Sequence, residues 1–434
     1  MSDIQEQLAE LRKRIARIDE RYAARAGSGP SWSTGTLTHV VQGNAPSDRR
    51  PARYFVEEYL SGSEVRTAAG AHFESERLWE RTRNHGSFEL SALDELGPNL
   101  LEAISNGAIT NCACDKWAFL DTETTGLAGG AGTYAFLIGV GRITPEGFHL
   151  RQFFMREPCE EPSLLSSLSD YLAQFDVLVT YNGRTYDQPL LETRYRLARA
   201  ASPFDRLQHL DLLFGARRLW NLRFESCRLV ELENQILGFE REGDLPGSLI
   251  PYVYFEYLRS REAGRVAPIL HHNAHDILTL ACLTAIVPRV YQSPDDVTFG
   301  HGAEMVGISR WLRKAERLEQ ACQMLKRAID HGLSDELLFR SLWDLAQMQR
   351  KLEDEEGYLA TLSELSTCRN PHQVDALEEL AKHYEHRAAN PAQAMAFTMQ
   401  ALDLESSPEL SRRLERLERK LKKEAATRRT RRLL

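Results

Sequence analysis

The sequence predicts a mixed α/β domain, a central sheet covered by helices, followed by an all-helical repeat region. Two observations carry this. Between residues 117 and 213 short apolar runs first follow one another closely and then alternate with helical spacings. Beyond about residue 300 strand signals stop, and amphipathic segments recur about 36 residues apart, from starts near 319, 355 and 391.

The elements follow in order. Trp117–Asp121 (WAFLD) is an apolar run ending in a carboxylate, Tyr134–Val140 (YAFLIGV) a second buried strand, and His149–Met155 a third. Residues 162–175 have helical spacing through Leu164, Leu165, Leu168, Tyr171 and Leu172. Val177–Tyr181 (VLVTY) is a fourth strand, 188–198 a helix, and His209–Leu213 a candidate fifth strand. The late segments are Leu318, Ala321, Cys322, Leu325, Ala328 and Ile329; Tyr358, Leu359, Leu362 and Leu365; and Ala392, Met395, Ala396, Met399 and Leu402. Their spacing is near the roughly 34-residue period of tetratricopeptide helix pairs, with an unrelated helical bundle as the alternative. Such a solenoid presents a groove to a protein partner.

These signals divide the chain into four parts. Residues 1–50 are a helix, with a narrow stripe of Ile4, Leu8, Leu11 and Ile15, and a Gly/Ser/Thr/Pro-rich linker. Residues 51–296 form the α/β domain, including a lead-in of mixed character over 51–115. Residues 300–405 form the helical repeats, and 406–434 a basic tail.

Composition narrows the class. The chain has 434 residues, enough for two or three domains, with 42 % hydrophobic and 27 % charged residues, as in soluble globular proteins. No apolar run reaches the roughly 18 residues of a membrane span, and the charged N-terminus is unlike a secretory signal. A cytoplasmic protein without membrane contact is expected. The seven scattered cysteines argue for reduced thiols rather than a disulfide framework. Net charge is −8, but residues 411–434 hold eleven Lys/Arg against three Glu, so the tail is near +8 and the rest near −16. That tail either attracts phosphates or is a solvated helix with Arg–Glu pairs around Leu414, Leu417 and Leu421.

Three strings carry chemistry. Asp121-Thr122-Glu123 ends the first strand, and side chains two apart on a strand share a face. Two carboxylates so close repel, and a hard divalent cation between them relieves this. Glycines at 126, 129, 130 and 132 follow, permitting a tight return or close backbone approach to a substrate. Asn182-Gly183-Arg184-Thr185-Tyr186-Asp187 leads from a strand into a helix; Asp187 is either a third ligand or a helix cap. His271-His272-Asn273-Ala274-His275-Asp276 opens a helix and supplies a fourth carboxylate. Its histidines suit proton transfer near neutral pH, a transition-metal site or a surface cluster.

In this order the strings resemble the DEDD family of 3′–5′ exonucleases. Asp-x-Glu matches Asp121 and Glu123, Asn-x₃-(Phe/Tyr)-Asp matches Asn182, Tyr186 and Asp187, and a final Asp after an activating Tyr or His matches Asp276. The longer strings FLDTETTGLAGGAGTYAFLIGVG, GDLPGSLIPYVY and HNAHDILTL are similar to the YprB-type ribonuclease H-like branch, over roughly residues 116–290. Members often carry tetratricopeptide-like repeats after that domain. The resemblance implies a ribonuclease H-like fold and a two-ion mechanism with Mg²⁺ or Mn²⁺. It implies Asp121, Glu123, Asp187 and Asp276 as ion ligands, with Asp187 also catalytic. His271 or His272 would take the proton from the attacking water: His272 by alignment with the Tyr-type spacing, His271 by the spacing of the His subclass. His275 is expected to be outward or structural. Asn182, Thr124 and Tyr186 are the expected substrate contacts, Asn182 alternatively capping its turn. The substrate would be DNA or RNA with a 3′ end. The rival is a non-catalytic nucleic-acid-binding or protein-interaction scaffold using the helical repeats.

Overall fold

The computed structural model describes residues 55–126 and 132–431, with side chains to 426. The N-terminal helix and linker expected over 1–50, and Gly129 and Gly130, lie outside the described residues.

Seven strands form one mixed sheet: β1 (Ser63–Thr67), β2 (Gly70–Glu80), β3 (Trp117–Thr124), β4 (Ala135–Thr144), β5 (Gly147–Phe154), β6 (Val177–Thr180) and β7 (Gln208–Asp211). Their order is β1-β2-β5-β4-β3-β6-β7. The first five in this order are antiparallel to one another, whereas β6 runs parallel to both β3 and β7. Residues 51–115, of mixed character in sequence, thus contribute the β1–β2 hairpin at one edge. Strand β2 mixes polar with apolar residues and is partly exposed, which hides it from an apolar-run reading.

Helices α1 (Glu161–Leu172), α2 (Asp187–Leu197), α3 (Leu213–Trp220), α4 (Leu229–Leu237), α5 (Ile250–Ser260) and α6 (Ala267–Gln292) complete this part. The long α6 lies hard against β4, and two glycines of β4 make the approach possible. A Cβ on Gly139 would meet Ile277 Cδ1 at 2.2 Å and Asn273 Oδ1 at 2.3 Å; one on Gly141 would meet Ile277 Cγ2 at 2.7 Å. This close packing brings the first turns of α6 over the strand that carries Asp121.

Seven further helices follow: α7 (Gly302–Lys314), α8 (Leu318–His331), α9 (Asp335–Lys351), α10 (Glu355–Ser366), α11 (Gln373–His386), α12 (Pro391–Leu404) and α13 (Pro408–Arg431). The C-terminal region is therefore largely helical. Its first helices share a core with the sheet region: Ile308, Trp311, Leu312 and Leu325 belong to the same buried cluster as Leu219, Trp220 and Val287. Among the described residues no helix is long and apolar enough to cross a membrane.

Candidate active site

Strand β3 pairs with β6 only through Trp117–Phe119, although it continues to Thr124. Its last residues therefore project past the end of the parallel pair. The crevice beyond the carboxyl ends of parallel strands is where open α/β sheets bind ligands. Asp121 and Glu123 stand there, half-buried, while Trp117–Leu120 are buried. The pairing with β4 shifts register between Glu123 and Thr124, a local irregularity that re-aims side chains at the strand end.

Asp187 enters from the turn after β6. Asn182 is left-handed (φ +66°), a conformation that asparagine tolerates. The Asp211 carboxylate at the end of β7 fixes this turn, accepting the Asn182 N–H at 2.8 Å and the Arg184 N–H at 3.2 Å. Asp187 is then the first residue of α2, and its Oδ1 accepts the Thr122 hydroxyl. Asp276 comes from α6. Its Oδ1 accepts from Arg241 Nη2 at 2.6 Å, and its Oδ2 is 3.4 Å from His272 Nε2.

The electrostatics show that the four acids share one space. Burial, then the charges of Asp276 and Asp187, raise the Asp121 carboxyl well above its usual value, against the Asn273 hydrogen bond and Arg241. Burial, then Asp121, Asp276, Asp187 and Asp244, do the same to Glu123. Burial raises Asp187 to about 6 in spite of the Thr122 hydrogen bond. Hard oxygen donors that repel one another, with one guanidinium for partial relief, are the donor set that divalent cations suit. Glu123, His272 and Asp276 bring candidate ligand atoms within 4.8 Å of one another.

The two candidate histidines part company. Four residues before Asp276, His272 shares its helical face; His271, one position earlier, is turned away. His271 Nδ1 is 3.4 Å from Arg77 Nη1, and the ring lines a separate cavity of about 470 Å³ with Tyr59, Arg77, Gln152 and Leu270. Burial and Arg77 lower its pKa. His272 Nδ1 instead faces both Asp244 oxygens at 3.0 and 2.9 Å. Burial would discharge His272, but Asp244 and Asp276 outweigh it and raise its pKa. His275 faces inward, packed on Phe239 and His85 with ring centroids 5.2 and 6.0 Å apart, and burial lowers its pKa to about 4. It forms a second candidate ligand group with His85 and Glu233, where Arg241 and Thr279 already donate to Glu233.

The expected substrate contacts differ in what the structure does with them. The Tyr186 side chain is exposed and available to a ligand. The Thr124 hydroxyl donates to the Gly126 carbonyl at 3.0 Å, a local bond to its own backbone. Asn182 is tied by its backbone to Asp211, which matches a turn-forming role.

Sequence reasoning missed three participants. Asn273 donates to Asp121 Oδ2 at 2.9 Å, and Arg241 links Asp276, Asp244 and Glu233. Asp244 lies in the string GDLPGSL, which marked the resemblance without suggesting a role. The one legible signal was the His272–Asp276 spacing of one helical turn.

A mixed sheet with acids gathered beyond the end of its parallel strands defines a ribonuclease H-like domain, a class of generally hydrolytic, metal-using nucleases. Residues 118–287 match the family RNase_H_2, described as RNase_H superfamily. The chain is 33 % identical over 288 residues to the uncharacterized protein YprB of Bacillus subtilis (strain 168), the match covering 65 % of this chain and 68 % of that protein. The chain belongs to the YprB family of the ribonuclease H superfamily.

Proposed function

We propose that this protein is a metal-dependent 3′–5′ exonuclease acting on DNA or RNA. One observation carries the reading: four carboxylates from three separate elements meet where Asp276 and Asp187 raise the cost of ionising Asp121, and these three raise that of Glu123. Asp121, Glu123, Asp187 and Asp276 would hold two divalent ions, Mg²⁺ or Mn²⁺. Bound there, the ions would supply an acidified water and a counter-charge for the phosphate.

The protein's own residues prepare this chemistry. Asn273 orients Asp121, Thr122 orients Asp187, and Arg241 orients Asp276. The exposed Tyr186 ring, next to Asp187, offers a face on which a terminal base can stack. Of the two candidate histidines the site uses His272. The helices beginning at Leu318, Glu355 and Pro391 keep nearly the spacing of the sequence pattern, which supports a tetratricopeptide-like array open to a protein partner.

The test is hydrolysis of 3′-labelled and 5′-labelled single-stranded DNA and RNA, with Mg²⁺, with Mn²⁺ and with EDTA. Mononucleotide release from the 3′ label, abolished by EDTA and by Asp121→Ala, is the expected result. Intact substrate under every ion condition sinks the proposal. Cleavage that leaves internal fragments but no terminal mononucleotide would replace it with an endonuclease.

A further inference from the structure

The geometry points to His272 as an ion ligand through Nε2, so that the site adds one nitrogen to its carboxylates and prefers Mn²⁺-class transition ions to Mg²⁺. The inference rests on the reading of the four carboxylates as an ion site and departs from the proton-acceptor role that the sequence resemblance implies.

The first argument is placement. His272 and Asp276 lie one turn apart on α6, so both side chains leave the helix on one face. This is the spacing by which helices chelate a metal with two residues. His272 Nε2 is 3.4 Å from Asp276 Oδ2, and both groups share a 4.8 Å neighbourhood with Glu123. Donors bound to one ion at about 2.1 Å stand roughly 3 Å apart when adjacent in an octahedron. The nitrogen is therefore placed beside the carboxylate as a fellow ligand. A base acting on an ion-bound water would stand a further hydrogen bond away.

The second argument is the other ring nitrogen. Nδ1 faces Asp244 at 2.9 and 3.0 Å, and an imidazole nitrogen that faces a carboxylate carries the proton. This leaves the Nε2 lone pair directed at the acids. A carboxylate that fixes the tautomer and angle of a ligating histidine is a recurrent feature of metal sites. Asp244 is held in turn by Arg241 Nη1 at 3.3 Å. The four-carboxylate reading gives Asp244 no task; as the positioning residue for His272 it has one.

The third argument is donor chemistry. Imidazole suits transition ions, whereas Mg²⁺ keeps to oxygen donors. The added nitrogen stabilises Mn²⁺ relative to Mg²⁺ in this site.

Pulsed electron paramagnetic resonance of the full chain loaded with Mn²⁺ tests the inference without reference to activity. The expected spectrum contains a ¹⁴N modulation, which changes to the ¹⁵N pattern in protein made with [¹⁵N]histidine. His272→Gln abolishes it while still binding Mn²⁺, and Asp244→Asn weakens Mn²⁺ binding about 10–100-fold. Should His272→Gln fail to fold, His85→Gln, His271→Gln and His275→Gln, all keeping the signal, exclude both the neighbouring histidines and the second candidate ligand group and assign it to His272. Bound Mn²⁺ without a histidine nitrogen overturns the inference and leaves the ion site standing, as does a nitrogen signal that survives in His272→Gln. A parent chain that binds no Mn²⁺ overturns both readings.

Discussion

Asn273 grips Asp121 at two points: its Nδ2 lies 2.9 Å from the carboxylate Oδ2 and 3.2 Å from the Asp121 carbonyl oxygen. The same amide accepts from Gln152 Nε2 at 2.8 Å, and Gln152 also donates to the Leu270 carbonyl at 2.9 Å. A strand-end carboxylate is thereby tied to α6 and to β5 through one fully buried side chain. Asn273→Ala strands a buried acceptor and a buried donor, and should cost about 1–3 kcal/mol in urea denaturation. Asn273→Asp sets another carboxylate beside Asp121, so its loss should be larger without ions and shrink when Mg²⁺ is added. Parent-like stability of Asn273→Ala would show that the grip contributes nothing.

The approach of α6 to the sheet depends on Gly139. An added methyl would fall 2.2 Å from Ile277 Cδ1 and 2.3 Å from Asn273 Oδ1, both within a packed core. Gly139→Ala should therefore destabilise by about 1–3 kcal/mol through overpacking. It should also reduce hydrolysis, because the helix it displaces carries Asn273 and Asp276. Activity retained at a lowered urea midpoint would mean that the helix shifts without disturbing the acids.

The acids make the ion-free protein sensitive to pH in a defined direction. Asp187 has a folded-state pKa of about 6 against an ordinary 3.8, so the folded state holds its proton longer than the unfolded chain. Stability from this group is complete below 3.8 and is lost as pH rises toward 6. Asp187→Asn should remove that loss, so that in EDTA the variant gains on the parent as pH rises through this window. Saturating Mg²⁺ should stabilise the parent more than the variant, since an ion that binds only the folded state adds stability by mass action. A parent-minus-variant difference in Tm that stays flat from pH 4 to 7 in EDTA contradicts the cause assigned here.

The parts legible in sequence were those that contiguous residues encode. The apolar run WAFLD with the Thr122-Glu123 that follows it, the Asn182–Asp187 turn and the α6 string each announce themselves locally, and all four carboxylates lie in them. The β1–β2 hairpin did not, because its partly exposed polar positions give no apolar run. Arg241, Asp244 and Glu233 were illegible for another reason. Their partners Asp276, His272 and His85 are 28 to 148 residues away, and no periodicity reports such a pairing. The choice between His271 and His272 stayed open because two spacings fitted the resemblance. Helical geometry separates them, since only His272 stands a full turn from Asp276.

The basic tail shows how charge counted along a chain differs from charge offered to a ligand. Glu385 on α11 is fully buried at its side chain, yet it accepts from Arg416 Nε and Nη2, each at 2.8 Å, from Lys420 Nζ at 2.9 Å and from Arg413 Nη1 at 3.2 Å. Three cations that in sequence stand ready for phosphate are thus engaged in fastening α13. Arg416 first, then Lys420, holds the Glu385 carboxyl down to about 2 against an ordinary 4.5. Its contribution is present above 4.5 and is lost as pH falls toward 2. Glu385→Gln should therefore lower Tm at pH 7, with the difference from the parent narrowing below pH 4.5. The same variant leaves Arg413, Arg416 and Lys420 without their common acid. A tail released to solvent in this way should hold a single-stranded oligonucleotide more tightly than the parent at low salt, with a steeper loss of affinity as salt rises. Unchanged Tm at pH 7 would refute the fastening role, and unchanged salt slope beside a lowered Tm would show that α13 is a structural helix with no part in binding nucleic acid.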